Sequence, residues 1–272
     1  QSNIVSRGFN NIFSGSLLTL IDNRYAAVPS LRVNVATFFP VTNDDIEQIE
    51  FVLGPGAALY GPNVTQGVLS ITTKSPLTSP GTTVTVESGF RARSPSFDGT
   101  DAEDKAGGLV RAGFRHATRI SPKVGFKISG EYMIGADWRY ADRGDTLRPA
   151  SNGSGTVSCT RTVAGCRNFD IRKWNGEARL DIKPDEDTEW ITSFGMTKAV
   201  DLIELTGLGA GQAKSWQYQS FQTRIRRKEF FAQVFGNFSN AGETFLLRRG
   251  TPLRDSSRVL VAQAQHGVSL GS

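Results

Sequence analysis

Between Val124 and Trp138 apolar and polar positions alternate without a break. Val124, Phe126, Ile128, Gly130, Tyr132, Ile134, Ala136 and Trp138 fall on one face of an extended chain. Gly125, Lys127, Ser129, Glu131, Met133, Gly135 and Asp137 fall on the other. Period-two alternation is the signature of a β-strand with one apolar and one polar face. The run is longer than the roughly 5–6 residues usual in soluble sheets. It suits a tilted strand that crosses a bilayer with its apolar face toward lipid.

The same phase recurs elsewhere. Trp174, Gly176, Ala178, Leu180 and Ile182 oppose Lys173, Asn175, Glu177, Arg179 and Asp181; Val110, Ala112, Phe114 and His116 oppose Arg111, Gly113 and Arg115. Phe230, Ala232, Val234, Gly236 and Phe238 oppose Gln233, Asn237 and Ser239, with Phe231 and Phe235 on the polar side. From Trp216 to Ile225 the phase changes near Ser220–Phe221, which predicts a bulge or a shifted boundary. Eight strands follow, at 82–93, 105–117, 123–138, 169–183, 188–203, 214–225, 229–239 and 257–268. The connections 118–122, 184–187 and 226–228 are short; 94–104, 139–168, 204–213 and 240–256 are longer. Short turns at one end and long loops at the other are the asymmetry of outer-membrane barrels.

Upstream the pattern differs. Leu17–Ile21 reads as a buried strand, and Asp22–Asn23 as a hairpin turn. Asn43 to Asp45 reads as one acidic helical turn capped by Asn43, followed by a strand-like run from Gln48 to Leu53. Gly54-Pro55-Gly56 closes that run, Ala57–Tyr60 fits one helical turn, and Gly67–Lys74 is a further strand.

The stretch from Ile46 to Lys74 resembles the second half of the plug domain of TonB-dependent outer-membrane receptors. Ile46, Glu47, Ile49, Glu50, Gly54, Pro55, Leu59, Tyr60, Gly61, Gly67, Val68, Ile71, Thr73 and Lys74 match the family pattern in order. Arg7-Gly8-Phe9 resembles an early plug signature, and Leu17–Asp22 a strand that ends in aspartate. One departure stands out: Leu53 occupies the place where the family has arginine before Gly-Pro.

The resemblance implies a mainly β chain: a globular α+β plug over residues 1–78, then antiparallel transmembrane strands over residues 79–272. About eight strands would be present of an expected 22 or so, because eight close a barrel too narrow to hold a plug. The chain would be the N-terminal part of a larger barrel, with the motif that recruits the coupling protein upstream of Gln1. The implied function is TonB-energised uptake of a scarce nutrient of siderophore, vitamin or glycan type across the bacterial outer membrane. The implied partners are outer-membrane lipid, a TonB-type periplasmic coupling protein and a small-molecule or oligosaccharide ligand. The plug candidates are Arg7, Gly8, Asp22, Glu47, Glu50, Gly54, Pro55, Tyr60, Gly61, Gly67 and Lys74. Arg111, Arg115, Lys127, Glu131, Glu177, Arg179 and Asp181 are expected to face the lumen and supply polar contacts with the plug. The competing reading is a small β-rich outer-membrane or secreted structural or adhesion protein with a plug-like segment.

Composition narrows the field further. With 272 residues, 38% hydrophobic and a mean hydropathy of −0.27, the chain has no apolar run of the ~20 residues a membrane-spanning helix needs. The net charge of +5 lies entirely beyond residue 78, since residues 1–78 hold four Lys/Arg against five Asp/Glu. The basic cluster Arg224–Lys228 reads as a solvated turn, and no nucleic-acid motif accompanies it. Cys159 and Cys166 lie in a Gly/Ser/Thr-rich segment; they read as a local disulfide in an oxidising compartment or as two free thiols. With only two histidines, His116 and His266, there is little material for a metal or catalytic site. Ser14-Gly15-Ser16 lacks the frame of a nucleophile elbow, and Gly54-Pro55-Gly56 does not continue into a phosphate loop. No enzyme activity and no cofactor are expected.

Overall fold

The apolar run Leu17–Ile21 forms β1, which turns through Asp22 and Asn23 into Arg24–Tyr25 (β2). Both turn residues have positive φ, 48° and 69°, as a type I′ hairpin requires. Ile46–Leu53 (β3) and Gly67–Thr73 (β4) complete a small sheet in the order β2-β1-β4-β3. β1 and β4 run parallel, the other pairs antiparallel. Gly67 must be glycine: its φ is 142°, and a Cβ there would overlap the carbonyl oxygen of Val52. The sheet buries Ile21, Leu69 and Ile71 with Ala26 and Phe39.

The computed structural model describes residues 17–30, 35–54, 64, 66–91, 107–137, 147–149, 156–158, 167–206 and 209–268. Among these, helix is limited to two 3-10 turns, Ala36–Phe38 and Asn43–Asp45. The second lies where the acidic turn is expected. Asn43 sits inside it rather than capping it; Thr42 precedes it and makes no side-chain cap bond.

A second, larger sheet begins at Gly81. Its long strands are Gly81–Arg91 (β5), Gly107–Ser121 (β6) and Val124–Ala136 (β7). A short hairpin follows, Leu147–Pro149 (β8) with Thr156–Ser158 (β9). Then come Asp170–Ile182 (β10), Thr188–Thr206 (β11), Gly209–Arg227 (β12) and Phe230–Asn240 (β13). Phe245–Leu246 (β14) folds back onto β12, and Ser256–His266 (β15) ends the order β15-β13-β12-β11-β10-β7-β6-β5. Every neighbouring pair of long strands is antiparallel.

The predicted alternation is realised in the side chains. On β10, Asn175, Glu177, Arg179 and Asp181 are buried while their neighbours are not. On the opposite face Val84, Val86, Phe114, Ile128, Phe194, Val234 and Leu260 are exposed. An apolar outer face around a polar interior inverts the rule of soluble proteins and is what lipid demands of a barrel wall.

Four expectations are corrected. Residues 118–121 belong to β6, whose turn is only Pro122–Lys123. Within the predicted long loop 204–213, residues 204–206 and 209–213 are instead strand, because β11 and β12 pair from Thr188↔Arg227 up to Thr206↔Gly209. No bulge occurs at Ser220–Phe221; the irregularity lies at Ser215, where φ is +58°. Arg224–Arg227 lies on β12, with Lys228–Glu229 as the turn. In each case cross-strand pairing extends a strand into polar sequence, since ladder hydrogen bonds do not depend on side-chain hydropathy.

Candidate functional site: the interface between the two sheets

The small sheet lies against the polar inner face of the large one, and the contact divides into two zones. The first is built around two aspartates. Asp45, fully buried at the end of its 3-10 turn, accepts from Arg115 Nε of β6 at 2.7 Å and from Lys127 Nζ of β7 at 2.5 Å. Lys127 also donates to Thr73 Oγ1 at 2.8 Å and to the carbonyl oxygen of Lys74 at 3.0 Å. Asp22 accepts from the backbone N–H and the hydroxyl of Thr73, at 3.0 and 2.6 Å. Arg179 of β10 donates to Thr73 Oγ1 at 2.9 Å, lies 3.5 Å from Asp22, and is oriented by two hydrogen bonds that it donates to the Asp181 carboxylate. The other carboxylate oxygen contact of Asp181 is the hydroxyl of Ser75, at 2.6 Å. Thr73 is thus the joint: side chains from both sheets meet on it.

The turn of the β1–β2 hairpin is held in the same manner by amides. Gln222 and Arg224 of β12 donate to the carbonyl oxygen of Asp22, and Gln233 of β13 to that of Asn23. Arg24 donates to Asn237 Oδ1 at 2.6 Å and to the Tyr218 hydroxyl at 3.1 Å, while Asn237 Nδ2 donates to the Tyr25 carbonyl. Burying this many charges is tolerable only because nearly all are paired and hydrogen-bonded.

The second zone lies nearer the long loops and is apolar. Val28 and Phe38 pack with Ala199 and Leu202 of β11, Ala213, Trp216 and Tyr218 of β12, and Ala241. The rings of Phe38 and Trp216 stand 5.1 Å apart. Gly195 of β11 permits a close approach, since a Cβ there would stand 2.6 Å from Pro40 Cγ.

The residues singled out from sequence distribute as follows. Arg115, Lys127, Arg179 and Asp181 join the first zone directly. Glu177, also buried, lies 4.0 Å from Lys127. Arg111 and Glu131 pair with each other at 2.8 Å, and Arg111 also binds Glu87 of β5, so theirs is a contact within the wall. Lys74 donates to the Asp44 carbonyl at 2.7 Å. Glu47 and Glu50 are exposed on β3, Glu50 accepting from Gln48. Gly54 is buried with φ 108°, its N–H directed at Gln66. Arg7, Gly8, Pro55, Tyr60, Gly61, Cys159 and Cys166 lie outside the described residues.

Sequence reasoning missed Asp45 as a partner, reading it only as a helix-turn acid, and missed Thr73, Arg24 and Tyr218. Strand parity already places Asn237 on the polar side, and it would have placed Gln222 there too had the phase of β12 been read without a break. No group of His, Cys, Asp and Glu suited to a metal occurs among the described residues.

Residues 1–68 match the family model of the TonB-dependent receptor plug domain. The chain is 27% identical over 154 residues to the ferric enterobactin receptor PirA of Pseudomonas aeruginosa, covering 57% of this chain and 18% of that protein. It is 32% identical over 118 residues to the vitamin B12 transporter BtuB of Vibrio vulnificus, covering 42% and 18%. These matches indicate a TonB-dependent receptor of the outer membrane, with the plug model covering the small sheet up to the start of β4. A variant of the ferric enterobactin receptor PfeA of Pseudomonas aeruginosa has the same fold: TM-score 0.51, 14% identity, 92% of this chain and 37% of that one. A second PfeA variant gives a TM-score of 0.50 at 16% identity, covering 83% and 33%. The chain spans about a fifth of the length of these curated relatives and about a third of the solved structures.

Proposed function

We propose that this receptor imports a scarce nutrient, of siderophore, vitamin or glycan type, by TonB-energised displacement of its plug. We place the plug in residues 1–78 and the wall in residues 79–272. The observation that carries the reading is the charged joint at Thr73. A plug that must be stable at rest yet separable under a pull is best held by groups that water can re-solvate. Asp45, Asp22, Arg115, Lys127 and Arg179 are such groups, and they bracket Lys74–Ser75, where the plug leads into the wall. The coupling protein would pull from the periplasmic side, where the turns are short, and the ligand would enter from the long-loop side. That the relatives are a ferric enterobactin receptor and a vitamin B12 transporter supports a nutrient ligand.

The deciding experiment measures uptake of labelled ferric siderophores and cobalamin in cells that carry the receptor, with and without the coupling protein. Uptake should occur for one ligand class and vanish when the coupling protein is deleted. Uptake that persists without it would remove the energised mechanism.

A further inference from the structure

Between the charged joint and the apolar zone runs a row of polar side chains that the seated plug leaves without partners. On the wall, register sets Arg115 of β6 opposite Ser129 of β7, Ser129 opposite Glu177 of β10, and Asn175 opposite Thr197 of β11. The plug segment that crosses them is pinned at both ends. Pro40 stands over Gly195, the β11 neighbour of Glu177, and Asp45 is bound by Arg115 and Lys127. Thr42 lies between these two points along the chain.

Thr42, Arg115, Ser129, Asn175, Glu177 and Thr197 are each more than nine-tenths buried. Yet Oγ of Thr42, Ser129 and Thr197, Oδ1 of Asn175, Oε1 of Glu177 and Nη2 of Arg115 make no hydrogen bond among the described residues. Each of these atoms has less than 1 Å² of surface within reach of water. Lys127 does not serve Glu177, although its Nζ lies 4.0 Å from Oε1. Its three N–H groups are committed to Asp45, Thr73 and the Lys74 carbonyl oxygen. A sealed polar atom without a partner loses its hydration and gains no hydrogen bond. Native proteins hold only a few such atoms per hundred residues. Six on one seam mark a place where the seated state is held at a cost.

We propose that this row is a built-in weak line in the plug seam. Thr42, Ser129, Asn175, Glu177 and Thr197 raise the free energy of the seated plug and so position it for release. This role rests on the reading that transport displaces the plug. At the joint, water can replace the partners; in the apolar zone, water opposes separation. Along the row between them, opening breaks no hydrogen bond of these atoms and lets water supply the ones they lack.

The test is hydrogen exchange on the whole receptor in detergent, read at the amides of Asp45 and Lys74. These N–H groups donate to the carbonyl oxygens of Thr42 and Asp45, so their exchange follows the lifting of this segment. Thr42→Val/Thr197→Val deletes two of the unpartnered hydroxyls at nearly constant shape and should slow that exchange about tenfold. Ser129→Ala, which only removes an atom, should act in the same direction and serves as the readout if the valine pair packs poorly. Thr73→Val is the opposing control. Its hydroxyl donates to Asp22 and accepts from Lys127 and Arg179, so the same chemical change there should quicken exchange about tenfold. In cells, the valine pair should lower the maximal uptake rate several-fold and leave ligand affinity unchanged. Exchange as fast as in the unaltered receptor, or faster, in both Thr42→Val/Thr197→Val and Ser129→Ala overturns the proposal. Slower exchange with an unchanged maximal uptake rate overturns the role in release. Exchange is read without ligand or coupling protein, so the weak line and the uptake reading fail separately.

Discussion

The two zones of the plug–wall interface respond oppositely to water. At the short-turn end, Asp45, Lys127, Arg115, Asp22 and Arg179 exchange one set of hydrogen bonds for another when the sheets part. A hydrogen bond to a charged group is worth about 1.5–3 kcal/mol net, far below its strength in a dry medium, because water replaces it. Nearer the long loops, separating Phe38 and Val28 from Trp216, Tyr218 and Leu202 leaves hydrocarbon bare, at roughly 25 cal/mol per Å². Nothing offsets that exposure. The comparison separates a zone whose partners water can replace from one whose contacts it cannot. Both zones are buried, so burial alone would not have distinguished them.

The largest expected effects come from breaking either zone outright. Trp216→Ala removes the aromatic anchor and its stacking on Phe38, and should cost about 3–5 kcal/mol, with amide exchange accelerating in residues 35–41. Asp45→Ala leaves Arg115 and Lys127 uncompensated and should likewise cost about 3–5 kcal/mol. Here the faster exchange should appear in β3, β4 and the linker after Thr73. If both substitutions loosen the same segments, the division into zones is wrong.

A locking pair sharpens the comparison further. In a Cys159→Ser/Cys166→Ser background, a disulfide in Ser75→Cys/Asp181→Cys ties the charged zone shut, and one in Pro40→Cys/Gly195→Cys ties the apolar zone. The first should abolish uptake until reductant is added, whereas the second should leave most of it. Block by both locks would mean that the plug leaves as one body. A milder probe is Gly195→Val, which drives a side chain into Pro40 and should destabilise by about 1–3 kcal/mol through overpacking. The smallest effect belongs to Glu50→Gln: exposed on β3, with its side chain accepting from Gln48, it should change the unfolding free energy by less than about 0.5 kcal/mol.

Much of the wall was legible in one dimension. Lys127, Glu177 and Arg179 face inward because each lies on the polar parity of its strand, and register carries that parity across β7 and β10. Strand ends were less legible. Arg224–Arg227 looks like a turn by composition, yet it pairs with Phe230–Gln233, because antiparallel neighbours supply backbone partners whatever the side chains. The partners of the inward charges were not legible at all. Asp45 and Lys127 are 82 positions apart, and Asp22 and Arg179 are 157 apart. No local rule links residues so distant.

By itself the sequence determined which face of β6, β7 and β10 meets lipid, since their unbroken period-two alternation leaves a membrane strand only one stable orientation. It also determined the small β1–β4 unit, whose apolar runs and glycines admit few other folds. Tertiary structure alone decided what the inward charges do. A lysine or arginine facing a lumen is only a cost until a second sheet brings a carboxylate within about 3 Å, and where that carboxylate lies depends on how the two sheets seat. The joint at Thr73 and the apolar grip at Trp216 both come from that seating.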